Sequence, residues 1–321
     1  MRRRAFAWTL AAATVPAFQL CVGAGWLCAV VGGLTATLVL LGAATALADR
    51  PLRDVIGTGH IRRAAAGILA AAVLGLALWS GRQSSRAFPE TDGSALAAVL
   101  MLSLAWWSVR SGAEAPARCA AVLFRLLAPL YAVILVFSLP QLHPGWLRPS
   151  AAPHGVLRCC GCLLLPGAAL LSDAGERRAV SAAGAASAWL AGLAAAVVSG
   201  IASPAAASEP MAFLTVSRSV SILGVMQRFE ALISAAMLMS GFCLCALLLS
   251  AGRNLLTVLA GARNAGRLFD ALLPLLLLGA WRNPPELLPL CGAAAICCGA
   301  ILILPPPLAS QKNLRKIQKN A

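Results

Sequence analysis

Three stretches place groups capable of chemistry inside long apolar runs, where polar and charged groups are costly. The densest runs from Arg218 to Glu230 and reads Arg-Ser-Val-Ser-Ile-Leu-Gly-Val-Met-Gln-Arg-Phe-Glu. Arg228 and Glu230 stand too close in sequence to pair along one helix face, where neighbours lie three or four residues apart. Arg218 with Glu230, or Arg228 with an acceptor on another helix, are the pairings open to them. An interfacial ion-pair cluster that anchors a loop is the plainer alternative to a functional one. The other two stretches offer backbone rather than side chains: Thr14-Val15-Pro16-Ala17 and Leu165-Pro166-Gly167 each interrupt an apolar run near its middle. Proline has no N–H to donate and obstructs the preceding turn. Such breaks leave N–H and C=O groups free for a small molecule's carboxylate and ammonium.

Arg125 lies seven residues after Arg118 and so on nearly the same helical face, two turns deeper in its apolar run. It must snorkel to the interface or turn inward; gating, packing and ligand contact all remain open for this pair. Catalytic constellations are missing from the sequence: there is no phosphate-binding loop ending in Lys-Ser/Thr and no nucleophile elbow, and His60, His143 and His154 all fall in expected loops. No cofactor and no metal is expected. Cys159, Cys160 and Cys162 share one short apolar stretch without a further ligand pair beside them, and the other cysteines read as buried thiols.

The elements that must position these groups follow from composition. Of 321 residues 60% are hydrophobic and only 12% charged, about half the charged share of an ordinary soluble domain. The expected fold is therefore an all-α polytopic membrane protein. About ten spans fit the apolar runs, at 5–22, 25–48, 64–81, 94–110, 117–140, 155–172, 180–203, 228–250, 268–282 and 287–305. The start, Arg2-Arg3-Arg4 before an apolar run, has the shape of a signal peptide, but with nine further apolar runs after it a signal-anchor serving as first span is the more economical reading.

The net charge of +15 is explained by topology rather than by nucleic acid, which is not an expected partner. With the N-terminus inside, eighteen basic residues fall in inner segments and five in outer ones, the bias expected of a protein with both termini cytoplasmic. One domain is expected over residues 1–305, followed by a basic cytoplasmic tail over 306–321 suited to anionic lipid. The proline breaks fall in spans one and six, the corresponding members of two halves of five, which is the pattern of an inverted-repeat transporter.

The segment Arg218 to Leu232 resembles the stretch leading into span eight of the B subunits of Ger-type endospore germinant receptors, the spore germination permeases. Gly112-Ala-Glu-Ala-Pro-Ala-Arg118 is similar to that family's Gly-x-Glu-x-x-x-Arg pattern, and the Pro-rich stretch from Leu139-Pro140 to Pro166 resembles its loop into an interrupted sixth span. Gly23-Ala-Gly-Trp26 departs from the family, where an Asp-Ala-Trp element is expected. The resemblance implies a member of the amino acid/polyamine/organocation superfamily with a LeuT-like five-plus-five fold. It further implies a subunit that senses a nutrient germinant, often an amino acid, in the spore inner membrane beside an A-type membrane subunit and a C-type lipoprotein. Thr14 to Ala17 and Leu165 to Gly167 are then the candidate ligand-binding residues, and Arg118, Arg125, Arg218, Arg228 and Glu230 the candidate structural or gating ones. The alternatives are an amino acid transporter coupled to H⁺ or Na⁺, for which only Glu230 and Asp270 offer acidic groups near span ends, and a scaffold subunit that no longer binds ligand.

Overall fold

The computed structural model describes residues 2–47, 52–57, 59–86, 93–112, 114–147, 152–171, 177–202, 212–219, 229–282 and 287–303. Helices account for nearly all of them, as Ala- and Leu-rich runs dictate where each segment must satisfy its own backbone. In chain order these are α1 (Arg2–Val15), α2 (Trp26–Leu47), α3 (Leu52–Ile56), α4 (His60–Ser85), α5 (Gly93–Arg110), α6 (Glu114–Ser138), α7 (Pro153–Leu164), α8 (Arg177–Ile201), α9 (Ala212–Ser219), α10 (Phe229–Ala260), α11 (Ala262–Arg282) and α12 (Leu287–Ile303). Among the described residues six helical stretches are long and apolar enough to cross a membrane: Trp26–Leu47, His60–Ser85, Glu114–Gln141, Pro153–Leu171, Ala179–Ile201 and Ala231–Ala260. Ser94–Arg110 and Cys291–Leu302 are shorter apolar helices.

Two expectations about boundaries are corrected. Residues 251–267 do not form a loop: α10 runs 32 residues to Ala260, and only Gly261 separates it from α11. Gly261 sits at φ 79°, a left-handed conformation that suits glycine, and its N–H bonds the Thr257 carbonyl at 3.0 Å. Arg253, Arg263 and Arg267 made this stretch look like a loop, yet arginine is a good helix former and lies here on helices that reach past the apolar layer. Likewise His60 opens α4 and His154 belongs to the first turn of α7, so only His143 lies between α-helices. Arg228 and residues 304–321, with the expected basic tail, lie outside the described residues.

Side-chain hydroxyls within the helices are largely absorbed by their own backbone: Thr9 donates to the Ala5 carbonyl, Ser80 to Ala77 and Ser138 to Ile134. What joins the helices is close packing. The most extensive contacts are α2 with α8 and α4 with α10, followed by α4 with α12 and α2 with α7. Small residues make the contacts of α2 with α7 and α8 possible. A Cβ on Gly32 would come within 2.7 Å of the Val156 carbonyl oxygen, and one on Gly33 within 2.9 Å of the Ala188 Cα, the small-residue interface by which helices approach without a hydrophobic driving force. A long-range bond adds to this: the Trp8 indole N–H donates to the Cys243 carbonyl at 3.0 Å, tying α1 to α10. Two buried clusters result, one centred on α4 and α10, the other where residues 17–22 meet α6, α7, α8, α9 and α10.

Candidate functional site

Both proline stretches change the winding of the chain without unwinding it. After Val15, which keeps α-helical angles of −61° and −57°, residues Pro16–Leu20 form a π-turn closed by the Cys21 N–H on the Pro16 carbonyl at 3.1 Å. Pro16 cannot bond to the turn before it, and the wider turn absorbs the missing donor. A 3₁₀ turn, Val22–Ala24, and Gly25 at φ 87° then reverse the chain into α2. At the second site α7 tightens into a 3₁₀ helix over Leu165–Leu171. The two junctions are neighbours: α1 packs on the 165–171 turn, and the π-turn packs on α7. Thr14, Val15, Pro16 and Ala17 are all buried, as are Leu165 and Pro166, whereas Gly167 is half-buried. Gly167 has the side chain of Leu40 against it, where no Cβ fits without displacement.

The first junction carries a polar and aromatic cluster. Thr14 Oγ1 donates to the Ala11 carbonyl at 2.7 Å and also reaches the phenol of Tyr131 on α6. The Tyr131 hydroxyl lies 3.4 Å from Ser240 Oγ on α10. Phe18 stacks on Tyr131 with centroids 4.5 Å apart and meets Phe213 of α9 edge-on at 4.6 Å. Next to Phe18 in sequence, Gln19 is 7% exposed, and neither its Oε1 nor its Nε2 has a hydrogen-bond partner among the described residues. Buried amides without partners are rare in folded proteins because each one carries an uncompensated desolvation cost. A carboxamide held this way can both donate to and accept from a small polar molecule.

The remaining candidates stand elsewhere. Arg118 is exposed and pairs with Glu114 one turn before it at 2.7 Å, and Arg125 is exposed on the outer face of α6 beside Val122 and Leu126. Neither arginine reaches the proline junctions. Arg218 lies near the end of α9 and Glu230 in the first turn of α10, two helices that pack together; Arg228 lies outside the described residues. Among the described residues no group of three His, Cys, Asp or Glu side chains is placed to hold a metal. Sequence reasoning passed over Gln19, Tyr131 and Ser240. Signals were available for two of them: Tyr131 is the chain's one tyrosine, and Gln19 is a carboxamide inside an apolar run.

No family model matches the chain, and no curated protein matches it by sequence. Among solved structures it is similar to Mhp1, a nucleobase-cation-symport-1 family transporter in a closed conformation with bromovinylhydantoin bound. The two share 15% sequence identity and superpose with a TM-score of 0.58 over 92% of this chain and 77% of that one. The likeness shows the fold, the LeuT-type helical fold of that transporter, in a chain whose described residues include six helices long and apolar enough to cross a membrane.

Proposed function

We propose that this chain binds a small polar molecule between its two proline junctions, and that the observation carrying the reading is the buried, unpartnered carboxamide of Gln19 beside the Phe18–Tyr131 stack. In this reading Thr14 to Ala17 and Leu165 to Gly167, whose junctions are linked through α1 and α7, would supply its backbone walls. Ten spans in two exchanged halves fit the packing. Exchanging α1 with α7, α2 with α8, α4 with α10, α5 with α11 and α6 with α12 carries α1–α8 into α7–α2, α4–α5 into α10–α11, and α5–α10 into α11–α4, all of which are in contact. The α1–α6 contact has no strong counterpart between α7 and α12 among the described residues.

The Arg218 to Leu232 resemblance supports a specific role for that binding. The chain would be the germinant-sensing subunit of a spore nutrient receptor, with an amino acid as ligand, in the inner spore membrane with both termini cytoplasmic and with A-type and C-type subunits as partners. Isothermal calorimetry on the purified protein with a panel of amino acids tests the binding. Heat from at least one of them, lost in Gln19→Leu, is expected; no heat from any of them sinks the reading. Spores lacking the gene would then fail to release dipicolinic acid in response to that same amino acid.

Coupled secondary transport is the second reading, favoured by the symporter fold. Against it, Asp270 is engaged by Arg110 at 3.3 Å and stands partly exposed at the edge of α11. Uptake into proteoliposomes under an imposed proton or sodium gradient separates the two readings.

A further inference from the structure

A polar cavity of about 290 Å³ opens between the end of α5, the last third of α10 and the start of α11, away from both proline junctions. Its lining includes Ser250, Arg253, Asn254 and Thr257, spaced three or four residues apart on one face of α10, with Val109, Gly112 and Ala262 closing the sides. Among the described residues no acidic side chain lines it. Arg253 uses Nη1 on the carbonyls of Val109 and Arg110, the exposed C-terminal carbonyls of α5, and no carboxylate pairs with it among the described residues. Its guanidinium carries further N–H groups beyond the one spent on that cap. Ser250 is 5% exposed, faces the cavity, and has no hydrogen-bond partner among the described residues; the Asn254 carboxamide has none either.

A cation, a carboxamide and a hydroxyl converging on one cavity without an anion is the donor set that suits an oxyanion. The geometry points to a binding site for a phosphate group at this end of the bundle, held by Arg253, Asn254 and Ser250, whether it comes from a lipid headgroup or from a free phosphate. Thr257 spends its own donor on the Arg253 carbonyl at 2.8 Å, which leaves its oxygen to shape the wall. This site is independent of the small-molecule site at Gln19. It places a charge-sensing contact on α5, α10 and α11, helices joined directly by that cap and by the Arg110–Asp270 pair.

The test has two arms. Purified full-length protein in detergent is titrated with inorganic phosphate against chloride at matched ionic strength, and the same protein is melted in phosphatidylcholine vesicles with and without phosphatidylglycerol. A rise in Tm with phosphate identifies a free oxyanion. A rise only with phosphatidylglycerol identifies a lipid headgroup. Either supports the site, provided Asn254→Leu and Ser250→Ala weaken the response roughly tenfold, the loss expected for one charge-assisted hydrogen bond. Those two variants leave the α5 cap in place, whereas Arg253→Gln removes the cap together with the charge and serves only as a limiting case. No shift in either arm, or an equal shift in the variants, overturns the proposal. Amino acid heats at Gln19 are read separately, so failure of one site is distinguishable from failure of the other.

Discussion

The two proline junctions start from the same sequence device and end differently. At Pro16 the chain widens into a π-turn, every residue from Leu10 to Val22 is buried, and Thr14 and Gln19 bring polar groups into the interior. At Pro166 the chain tightens into a 3₁₀ turn, Gly161, Leu164, Gly167, Ala168 and Leu171 stay partly exposed, and no polar side chain occurs between Leu163 and Leu171. Proline dictates only that a donor is missing; the neighbours decide how the chain accommodates it. Where α7, α8 and α9 pack on the turn and Tyr131 of α6 stacks on Phe18, the wide form buries the Gln19 amide. Where Leu40 is wedged against Gly167, the tight form contributes backbone alone. The two junctions are therefore asymmetric: one brings polar side chains into the interior and the other offers backbone alone.

Substitutions can break that asymmetry. The largest effect is expected from Gly32→Leu, which drives a side chain into the Val156 carbonyl and loosens α7 and the second junction with it. A destabilisation of about 3 kcal/mol or more, read from melting in detergent, is expected, because backbone cannot yield as a side chain can. Gln19→Leu should do the reverse at the first junction. It removes two orphaned polar atoms and should stabilise the fold by about 1–2 kcal/mol while abolishing ligand heat; a stability loss would mean that the amide has a partner.

Tyr131→Phe keeps the stack on Phe18 but deletes the hydroxyl shared with Thr14 and Ser240, for a cost of about 1 kcal/mol. If the hydroxyl instead contacts ligand, affinity falls more than stability does. The smallest effect belongs to Glu114→Gln, outside both junctions: its exposed pair with Arg118 contributes below about 0.5 kcal/mol, so neither Tm nor ligand heat should move.

Legibility in the sequence followed physical lines. Long apolar runs declared the helices because nothing else satisfies their backbone, and the prolines located both junctions to the residue. Helix ends were misread at Arg253 and Arg263, though not at Arg110 or Arg282, because composition registers where apolarity stops and not where the helix stops. The sense of each winding change could not be read, since it depends on side chains from helices far along the chain. Arg125 shows the same limit: its outward face on α6 was not legible, because a run apolar on nearly every side carries little directional signal. The cavity at Ser250, Arg253 and Asn254 was hidden for a related reason, Arg253 and Asn254 having been placed in an inner segment past the span that ends at residue 250.

The bond from Trp8 to the Cys243 carbonyl spans 235 residues. A ribosome adding about 5–20 residues per second separates the appearance of the two partners by on the order of ten to fifty seconds. For that interval the indole N–H of α1 lacks the acceptor it ends on, because α10 has not been made. The seam between α1 and α10 is thus closed late, by a helix synthesised well after the one it secures.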